Sequence, residues 1–314
     1  MIKVSLVIPT RNRAEDLSEL LASISDQTVF PFEVLVVDDS DDVKTQDLVE
    51  KMDSEFFRKG IELRYLRGGG NSLAHARNVG ASQMKGEIYC GVDDDVILAR
   101  DYIEQIIKFH HDHPDAVGVQ GNFLYRGLSS VFSNAVKRVL FSPCFQKDRS
   151  VVWAAGMTFP FPLTKTIRGQ WLSGTNSSYK RQVLKGFKWD ENLVGYSLCE
   201  DMDISYRILR KYPNSLYVTP YAKAYHKFSP VARITPESLI HMEVAYTTYF
   251  FFKNFRLTLP NMVEYVLSMF FGKFLLTIFG RDRWSIPFLI SAYLNLFKSF
   301  AEVKTGNFSS FQVV

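Results

Sequence analysis

Three consecutive carboxylates, Asp93, Asp94 and Asp95, directly follow the apolar stretch Ile88–Val92. Adjacent carboxylates repel one another unless a cation lies among them, and Mg²⁺ or Mn²⁺ takes carboxylate oxygens together with substrate phosphates. The triplet therefore indicates a divalent metal that would hold a diphosphate. An acidic loop that merely ends a strand in solvent would look the same, so the triplet alone leaves both interpretations open.

Two further apolar runs, Val4–Ile8 and Val34–Val37, also end in polar residues. These are Pro9, Thr10 and Arg11 after the first run, and Asp38, Asp39, Ser40, Asp41 and Asp42 after the second. Ligands of open α/β sheets gather beyond the carboxyl ends of the strands, so the three strand ends would together form one acidic crevice. A carboxylate there can accept a hydrogen bond from a base or a ribose hydroxyl, although any single aspartate could equally cap a helix.

Short β-branched runs alternate with helical patterns through the first half of the chain, which is typical of βαβ units on a largely parallel sheet. Asn12 is placed to cap the first helix. The apolar face of this helix comprises Leu17, Leu20, Leu21 and Ile24. Gly68–Gly70 interrupts the chain before a helix that begins near Ser72. The sequence thus predicts an α/β fold whose strands deliver the polar residues to one edge.

Length and charge limit the class of protein. The 314 residues allow one large α/β domain and a smaller appendage. A net charge of +4 and a pI near 8.8, with no long basic run, argue against a nucleic-acid partner but suit an anionic membrane or a phosphate-bearing substrate. Cys90, Cys144 and Cys199 are far apart, so we expect a reducing compartment. The chain begins directly with a strand-like run, which predicts a cytoplasmic protein without a signal peptide.

The composition changes near Pro236, which predicts a domain over residues 1–235 and a helical region over 236–314. The second region is rich in Phe, Tyr and Leu and carries isolated basic residues, including Lys253, Arg256, Arg281, Arg283 and Lys298. No uncharged run reaches the roughly 18 residues of a spanning helix, so helices lying in the membrane interface fit better. A helical layer packed onto the first domain is the alternative. Pro260 and Pro287 suit helix starts or kinks.

Seven short segments occur in an order and spacing that resemble a family 2 glycosyltransferase of the GT-A fold. The segments are Val4–Arg13, Val34–Ser40, Ala76–Ala81, Lys85–Glu87, Asp93–Asp95, Gly174–Asn176 and Glu200–Asp201. The resemblance runs from Val4 to about His226. It implies a mostly parallel central sheet flanked by helices, followed here by the aromatic-rich helical extension. It also implies inverting chemistry with a nucleoside-diphosphate sugar donor.

The resemblance implies roles for particular residues toward the donor. The donor site would comprise Pro9, Thr10, Arg11, Asp39, Arg77, Asp93 and Asp94. Asp39 would hold the base, Asp93 would touch the ribose or the sugar, and Arg77 would face the phosphates unless it forms a surface ion pair. The turn Asp-Asp-Ser-Asp after the second strand departs from the glycine that many relatives have before the serine. This departure leaves the backbone shape of the turn open.

A cofactor, Mn²⁺ or Mg²⁺, is implied as well. Asp95 would ligate this metal, with Asp93 and His226 as further ligands. A lone histidine is more often a packed or surface residue, so both interpretations of His226 stay open. His75 and the cluster His110–His113 are interpreted as helix surface.

Catalysis is expected at Glu200 and Asp201, which open a predicted helix. Asp201 would take the proton from the acceptor hydroxyl, with Glu200 in support. Both carboxylates could instead only complement the positive end of the helix. Trp171 and Asn176 lie between the metal motif and the base, where the acceptor must enter, and Trp171 would stack on a sugar ring. Trp171 is equally well placed for the core.

Three other functions could use aspartates at strand ends. A metal-dependent phosphatase would keep its Asp-x-Asp pair on the leading strand, whereas Asp39–Asp41 follows the second. A nucleotidyltransferase would have its glycine-rich loop after the first strand, whereas Gly68–Gly70 comes much later. A sugar-nucleotide-binding protein without turnover is the third. We expect an inverting transfer, with UDP- or dTDP-sugars favoured, to a glycan or lipid-linked acceptor at the inner face of the cell membrane, in bacterial surface polysaccharide or lipopolysaccharide assembly.

Overall fold

The computed structural model describes residues 2–70, 72–124, 151–153, 156–158, 163–279, 283–309 and 311. The strands are β1 Val4–Thr10, β2 Glu33–Asp38, β3 Glu62–Arg67, β4 Ile88–Val92, β5 Val96–Leu98, β6 Gly118–Leu124, β7 Val151–Trp153, β8 Gly156–Thr158, β9 Ile167–Arg168, β10 Asn176–Lys180 and β11 Leu216–His226. The α-helices are α1 Ala14–Ser25, α2 Lys44–Arg58, α3 Leu73–Gln83, α4 Tyr102–Asp112, α5 Arg181–Leu184, α6 Glu200–Lys211, α7 Pro236–Asn254, α8 Leu259–Val266, α9 Lys273–Phe279 and α10 Ile286–Val303. A π-helical segment, Leu267–Gly272, joins α8 to α9.

Within the described residues, nine strands form one mixed sheet in the order β3-β2-β1-β4-β10-β6-β11-β5, with β9 paired to β11. Strands β3, β2, β1 and β4 are mutually parallel, and β10 is antiparallel to both of its neighbours. The carboxyl ends of β1, β2 and β4 therefore lie at one edge. This confirms the predicted α/β fold, in which β3, β2, β1 and β4 run parallel to one another.

The buried strands pack on both faces, which explains their unbroken apolar sequences. In β1, Leu6 and Ile8 belong to a core cluster with α1, α2 and α4, whereas Val7 points to the opposite cluster with α3 and α6. Gly80 of α3 is part of this second layer, because a Cβ there would lie 2.2 Å from Val7 Cγ1. The close approach of α3 to β1 brings Arg77 toward the strand ends.

The predicted cap at Asn12 is wrong. The N-cap of α1 is Arg13, and its side chain makes no capping hydrogen bond. Asn12 instead takes a left-handed φ of +55° and exchanges hydrogen bonds with Asp41, at 2.8 Å and 2.9 Å. This residue therefore joins the loops that follow β1 and β2. The predicted helix start near Ser72 is confirmed, since the Ser72 hydroxyl accepts from the N–H of His75.

The C-terminal helices share a hydrophobic cluster with the sheet domain. Met242 and Phe250 of α7 pack in the same cluster as Leu193, Cys199 and Met202. The prolines at 260 and 287 lie in the first turns of α8 and α10, as helix starts require. Among the described residues, no helix combines the length and the apolar character needed to cross a bilayer.

An ionic network, partly exposed at Lys253, also connects α7 to the sheet domain. Lys253 Nζ lies 2.6 Å from Asp190 Oδ2 and 2.9 Å from Asp203 Oδ2, and Asn254 donates to Asp203 at 2.9 Å. Lys253 is thus paired with two carboxylates of the protein. His110, expected on a helix surface, is buried against Ser178.

Candidate active site

A cleft of about 580 Å³ opens where the carboxyl ends of β1, β2 and β4 meet the start of α6. It is lined by every predicted donor, catalytic and metal residue: Pro9, Thr10, Arg11, Asp39, Arg77, Asp93, Asp94, Asp95, Glu200, Asp201 and His226. Residues of the loop after β11 and of α7, including Arg233 and Met242, form another part of the wall. Trp171 and Asn176 are not among the lining residues.

Asp94 lies in the wall of the cleft and has two polar partners. It accepts hydrogen bonds from Thr10 Oγ1 at 2.9 Å and from Arg13 Nη1 at 3.0 Å. Burial raises the pKa of Asp94 to about 6, although Arg13 opposes the rise. No role was predicted for Arg13 from the sequence. Its position directly after the motif Pro9–Asn12 was the feature that could have indicated one. The hydrogen bond between Thr10 and Asp94 thus stabilises this part of the cleft wall.

Asp95 and His226 form a close pair. The sheet brings them together because β5 pairs with the end of β11, with Val96 opposite His226. His226 Nε2 lies 3.0 Å from Asp95 Oδ1, and Ser229 N–H donates to Asp95 Oδ2 at 2.9 Å. His226 and Arg13, together with the Ser229 N–H, lower the pKa of Asp95 in spite of its burial.

The Asp95 and His226 pair is chemically suited to a divalent cation. Within the described residues, no group of three His, Cys, Asp or Glu side chains could hold a metal ion. A carboxylate and an imidazole nevertheless fit a site at which substrate phosphates and water supply the remaining ligands. Asp93, the third predicted ligand, is instead engaged by Arg77 Nη2 at 2.8 Å.

Arg77 lies between two carboxylates and is almost fully buried. Besides Asp93, it contacts Glu200 Oε1 through Nη1. A side chain at position 174 would displace the Arg77 guanidinium, because a Cβ there would lie 2.1 Å from Arg77 Nη1. Glu200 Oε2 is buried and has no hydrogen-bond partner among the described residues, so it keeps an unused acceptor. The ion pair predicted as an alternative for Arg77 exists, but it lies inside the cleft and not on the surface.

Asp201 is held by two backbone N–H groups. Its carboxylate accepts the N–H of Gly174 at 3.0 Å and the N–H of Met202 at 2.7 Å. The second of these bonds is within the first turn of α6, so the residue also complements the helix start. Burial raises the pKa of Asp201, and its hydrogen bonds and Arg77 only partly oppose this effect. A raised pKa makes a carboxylate a stronger base.

Asp39 marks the part of the cleft predicted to hold the base. Its backbone N–H donates to Thr10 O at 2.9 Å, and its Oδ1 accepts from Gly70 N–H at 2.6 Å. A Cβ at Gly68 would lie only 2.4 Å from Asp39 Oδ1, so the glycine loop is required for this close approach. Ser40 N–H donates to Asp38 Oδ1 at 2.9 Å, which defines the turn that lacks the usual glycine.

The predicted acceptor residues lie in the interior. Trp171 is 6% exposed and belongs to the cluster shared with the C-terminal helices. Asn176 is fully buried in β10 between β4 and β6. Tyr196 lines the cleft instead, and burial raises its pKa. The cleft therefore has an aromatic ring in its wall at Tyr196.

Non-glycine residues with left-handed backbone conformation concentrate around this cleft. Five of the six in the described part of the chain line it or flank its loops: Asn12, Ser197, Cys199, Phe228 and Ala232. Such conformations are uncommon outside glycine and cluster at functional sites.

A mixed sheet of this order, with an acidic crevice at the carboxyl ends of its parallel strands, defines the class of GT-A glycosyltransferases. The sequence pattern of glycosyl transferase family 2 matches residues 5–187, more than half of the chain. The chain belongs to this family, as the resemblance of its motifs predicted.

Individual relatives cover only part of each protein. Over 116 residues the chain is 34% identical to the poly(ribitol-phosphate) beta-N-acetylglucosaminyltransferase TarS of Staphylococcus aureus. The aligned region covers 36% of this chain and 20% of TarS. The match thus spans a fifth of that relative's length.

Solved structures confirm the fold over most of the chain. The mannosyltransferase PcManGT from Pyrobaculum calidifontis, in complex with GDP-Man and Mn²⁺, superposes with a TM-score of 0.58 at 18% identity over 96% of this chain and 75% of that one. TarS 1–349 of S. aureus in complex with UDP gives 0.51 at 17% identity over 96% and 91%.

Proposed function

We propose that this glycosyltransferase moves a sugar, with inversion, from a nucleoside-diphosphate donor to a hydroxyl of a glycan or lipid-linked acceptor. One observation carries the proposal: a base-like carboxylate, Asp201, opens into the same cleft as the Asp95 and His226 pair. A carboxylate beside a site for a metal and a diphosphate is what a single-displacement transfer needs.

The chain's own residues would perform the step as follows. Asp201 takes the proton of the acceptor hydroxyl while that oxygen attacks the anomeric carbon. The bond from this carbon to the diphosphate oxygen breaks, and its electron pair stays on the leaving diphosphate. Arg77 holds Asp93 and Glu200 in fixed positions, so the polar wall does not need to reorganise during the step.

We propose a metal dependence that rests on the same pair. Asp95 and His226 would hold Mn²⁺ or Mg²⁺, and the ion would neutralise charge on the diphosphate. The Mn²⁺ in the PcManGT complex supports a divalent ion in this fold.

The donor and the acceptor are proposed at the level of class. UDP- or dTDP-sugars are favoured, and the UDP in the TarS complex supports a uridine nucleotide. The poly(ribitol-phosphate) in the name of TarS supports a polymeric acceptor. We propose that the reaction belongs to bacterial surface-polysaccharide or lipopolysaccharide assembly.

A peripheral position on the inner face of the membrane is also proposed. The segment 257–300 has eleven large apolar side chains between 37% and 78% exposed: Leu257, Leu259, Val263, Val266, Leu267, Phe271, Trp284, Ile290, Leu294, Phe297 and Phe300. Of those in α10, Ile290, Leu294 and Phe297 recur at spacings of four and three, so they share one helix face. Arg283 and Lys298 are exposed in the same segment, which suits anionic headgroups.

A donor screen tests the function. Purified protein with Mn²⁺ is incubated with a panel of nucleotide sugars, and release of the nucleoside diphosphate is measured with and without acceptor lipid extracts. Turnover of one donor supports the proposal. Tight donor binding without any release, with every acceptor tried, would favour a sugar-nucleotide-binding protein without turnover.

A further inference from the structure

The two buried arginines of the cleft are already paired with carboxylates. Arg77 contacts Asp93 and Glu200, and Arg13 donates to Asp94. Their side chains are 3% and 11% exposed. Removing either guanidinium from its partner would leave an uncompensated buried charge, which is strongly unfavourable. Neither of these two arginines is therefore free to pair with a diphosphate that enters the cleft.

Arg233 lines the same cleft, and its guanidinium is more exposed and less tightly paired than those of Arg77 and Arg13. Its side chain is 37% exposed, and its Nη2 lies 3.7 Å from Asp95 Oδ2, beyond hydrogen-bond distance. Its Nε donates to the carbonyl oxygen of Ser229, whereas its terminal nitrogens make no hydrogen bond to the described residues. The outer edge of this guanidinium is thus available to an anion beside the Asp95 and His226 pair.

The loop that carries Arg233 is hydrogen-bonded to Asp95 of the acidic triplet. Asp95 accepts the backbone N–H of Lys227 at its carbonyl oxygen and that of Ser229 at its carboxylate, both at 2.9 Å. Ala232 has a left-handed φ of +52° and turns the chain immediately before Arg233. The guanidinium is therefore held near the site before the donor arrives, which reduces the entropy lost on binding.

We propose that Arg233 binds the phosphate oxygens of the donor and remains on the leaving nucleoside diphosphate. This inference rests on the proposed function. When the bond between the anomeric carbon and the diphosphate oxygen breaks, that oxygen gains the electron pair and a negative charge, while the acceptor proton goes to Asp201. A guanidinium binds the product oxyanion more strongly than the intact donor, so it favours departure.

Nucleotide affinities test the assignment. Calorimetry in the presence of Mn²⁺ compares wild type, Arg233→Ala and Arg233→Lys for uridine, UMP and UDP, and for guanosine, GMP and GDP. We expect Arg233→Ala to weaken binding of the preferred diphosphate by about 10- to 100-fold, the range of one charge-assisted hydrogen-bonded contact, and that of the nucleoside by less than about threefold. Arg233→Lys should recover part of the loss. Arg58→Ala, an exposed arginine at the end of α2, is the matched control.

The outcomes separate the inference from the function on which it rests. Equal losses for nucleoside, monophosphate and diphosphate would show that Arg233 only shapes the loop, and an unchanged diphosphate affinity would also overturn the assignment. A wild-type chain that binds none of the six compounds, and none of the donors in the screen, would refute the proposed function as well. With a donor that turns over, Arg233→Ala should lower kcat more than it raises KM.

Discussion

The carboxylates of the cleft differ in the groups that neutralise them. Asp93 and Glu200 are paired with Arg77, and Asp94 with Arg13. Asp201 is stabilised mainly by backbone N–H groups. A carboxylate without an ion-pair partner keeps its basicity, which favours Asp201 over its neighbours as the proton acceptor.

Asp95→Asn tests the metal site. The amide keeps a hydrogen-bond acceptor for Ser229 N–H but loses the charge that a divalent cation needs. We expect the Mn²⁺-dependent part of donor affinity to disappear while the far-ultraviolet circular dichroism is unchanged. Titration calorimetry with and without Mn²⁺ measures this part of the donor affinity. A Mn²⁺ effect of wild-type size would exclude Asp95 as a ligand.

Asp201→Asn tests the base. The substitution preserves the shape and an oxygen for Gly174 N–H but cannot accept a proton. Transfer should fall by about 10²-fold or more, whereas donor affinity should change little. Single-turnover transfer and calorimetry provide the two readings. Near wild-type transfer would place the base elsewhere, with Glu200→Gln as the next variant to assay.

The rate of transfer should depend on pH in a defined direction. A base acts only when ionised, so the rate should fall as the pH drops through the pKa of Asp201. Burial raises this pKa above the ordinary value of 3.8, which moves the acidic limb of the profile to higher pH. Kinetics between pH 4 and 8 measure the limb, and the residual rate of Asp201→Asn should lack it. A profile that is flat down to the ordinary value would contradict the assignment.

At the residue scale, the sequence indicated which charged residues share the cleft but not their contacts across the fold. The residues predicted for the donor, the metal and catalysis all line one cleft. Arg13 and Arg233 were missed, because their roles depend on Asp94 and Asp95, which are distant along the chain. Trp171 carries no local signal that distinguishes a buried ring from a platform.

At the scale of elements, the segment before β10 acts as a spacer between Arg77 and Asp201. Gly174 supplies the N–H for Asp201 and leaves room for Arg77. Gly174→Ala should therefore displace the guanidinium and lower transfer by at least about tenfold, since misplaced catalytic groups act poorly. Steady-state kinetics measure the loss. Gly186→Ala, where a Cβ would meet only ordinary contacts, is the control and should retain activity.

Periodicity predicted most elements of the first half, and β4 has its predicted bounds, Ile88–Val92. Strand β11 continues past Pro220 to His226, because it pairs there with β5 and β6. Asn12 failed as a cap because its side chain bonds to Asp41 instead. Such tertiary partners are not visible in a local pattern.

At the scale of the whole molecule, the C-terminal helices are both a packed layer and an exposed apolar surface. They share a core with Cys199 and Met202, and α7 contributes Ser238 and Met242 to the cleft wall. Removing residues 237–314 would therefore open the core and the site together. The packed layer expected as the alternative therefore exists, and the membrane interface stays a prediction for its exposed face.

Vesicle binding tests the exposed face. Leu294→Ser with Phe297→Ser should weaken binding to anionic phospholipid vesicles by about tenfold or more per side chain, because less apolar surface leaves water. High salt should release the wild type only partly, since apolar burial is not screened. Flotation assays measure both. Phe57→Ser, at an equally exposed phenylalanine on α2, is the control. A wild type that does not bind would refute the membrane proposal.

The left-handed residues around the cleft have a consequence for how this enzyme could be improved. Ser197, Cys199 and Ala232 each hold a backbone conformation that a residue with a side chain adopts at a cost of order 1 kcal/mol or more. Selection for heat resistance alone would accumulate glycines or relaxed loops at these positions. Because the same loops form the wall of the cleft, such variants would gain melting temperature at the expense of turnover.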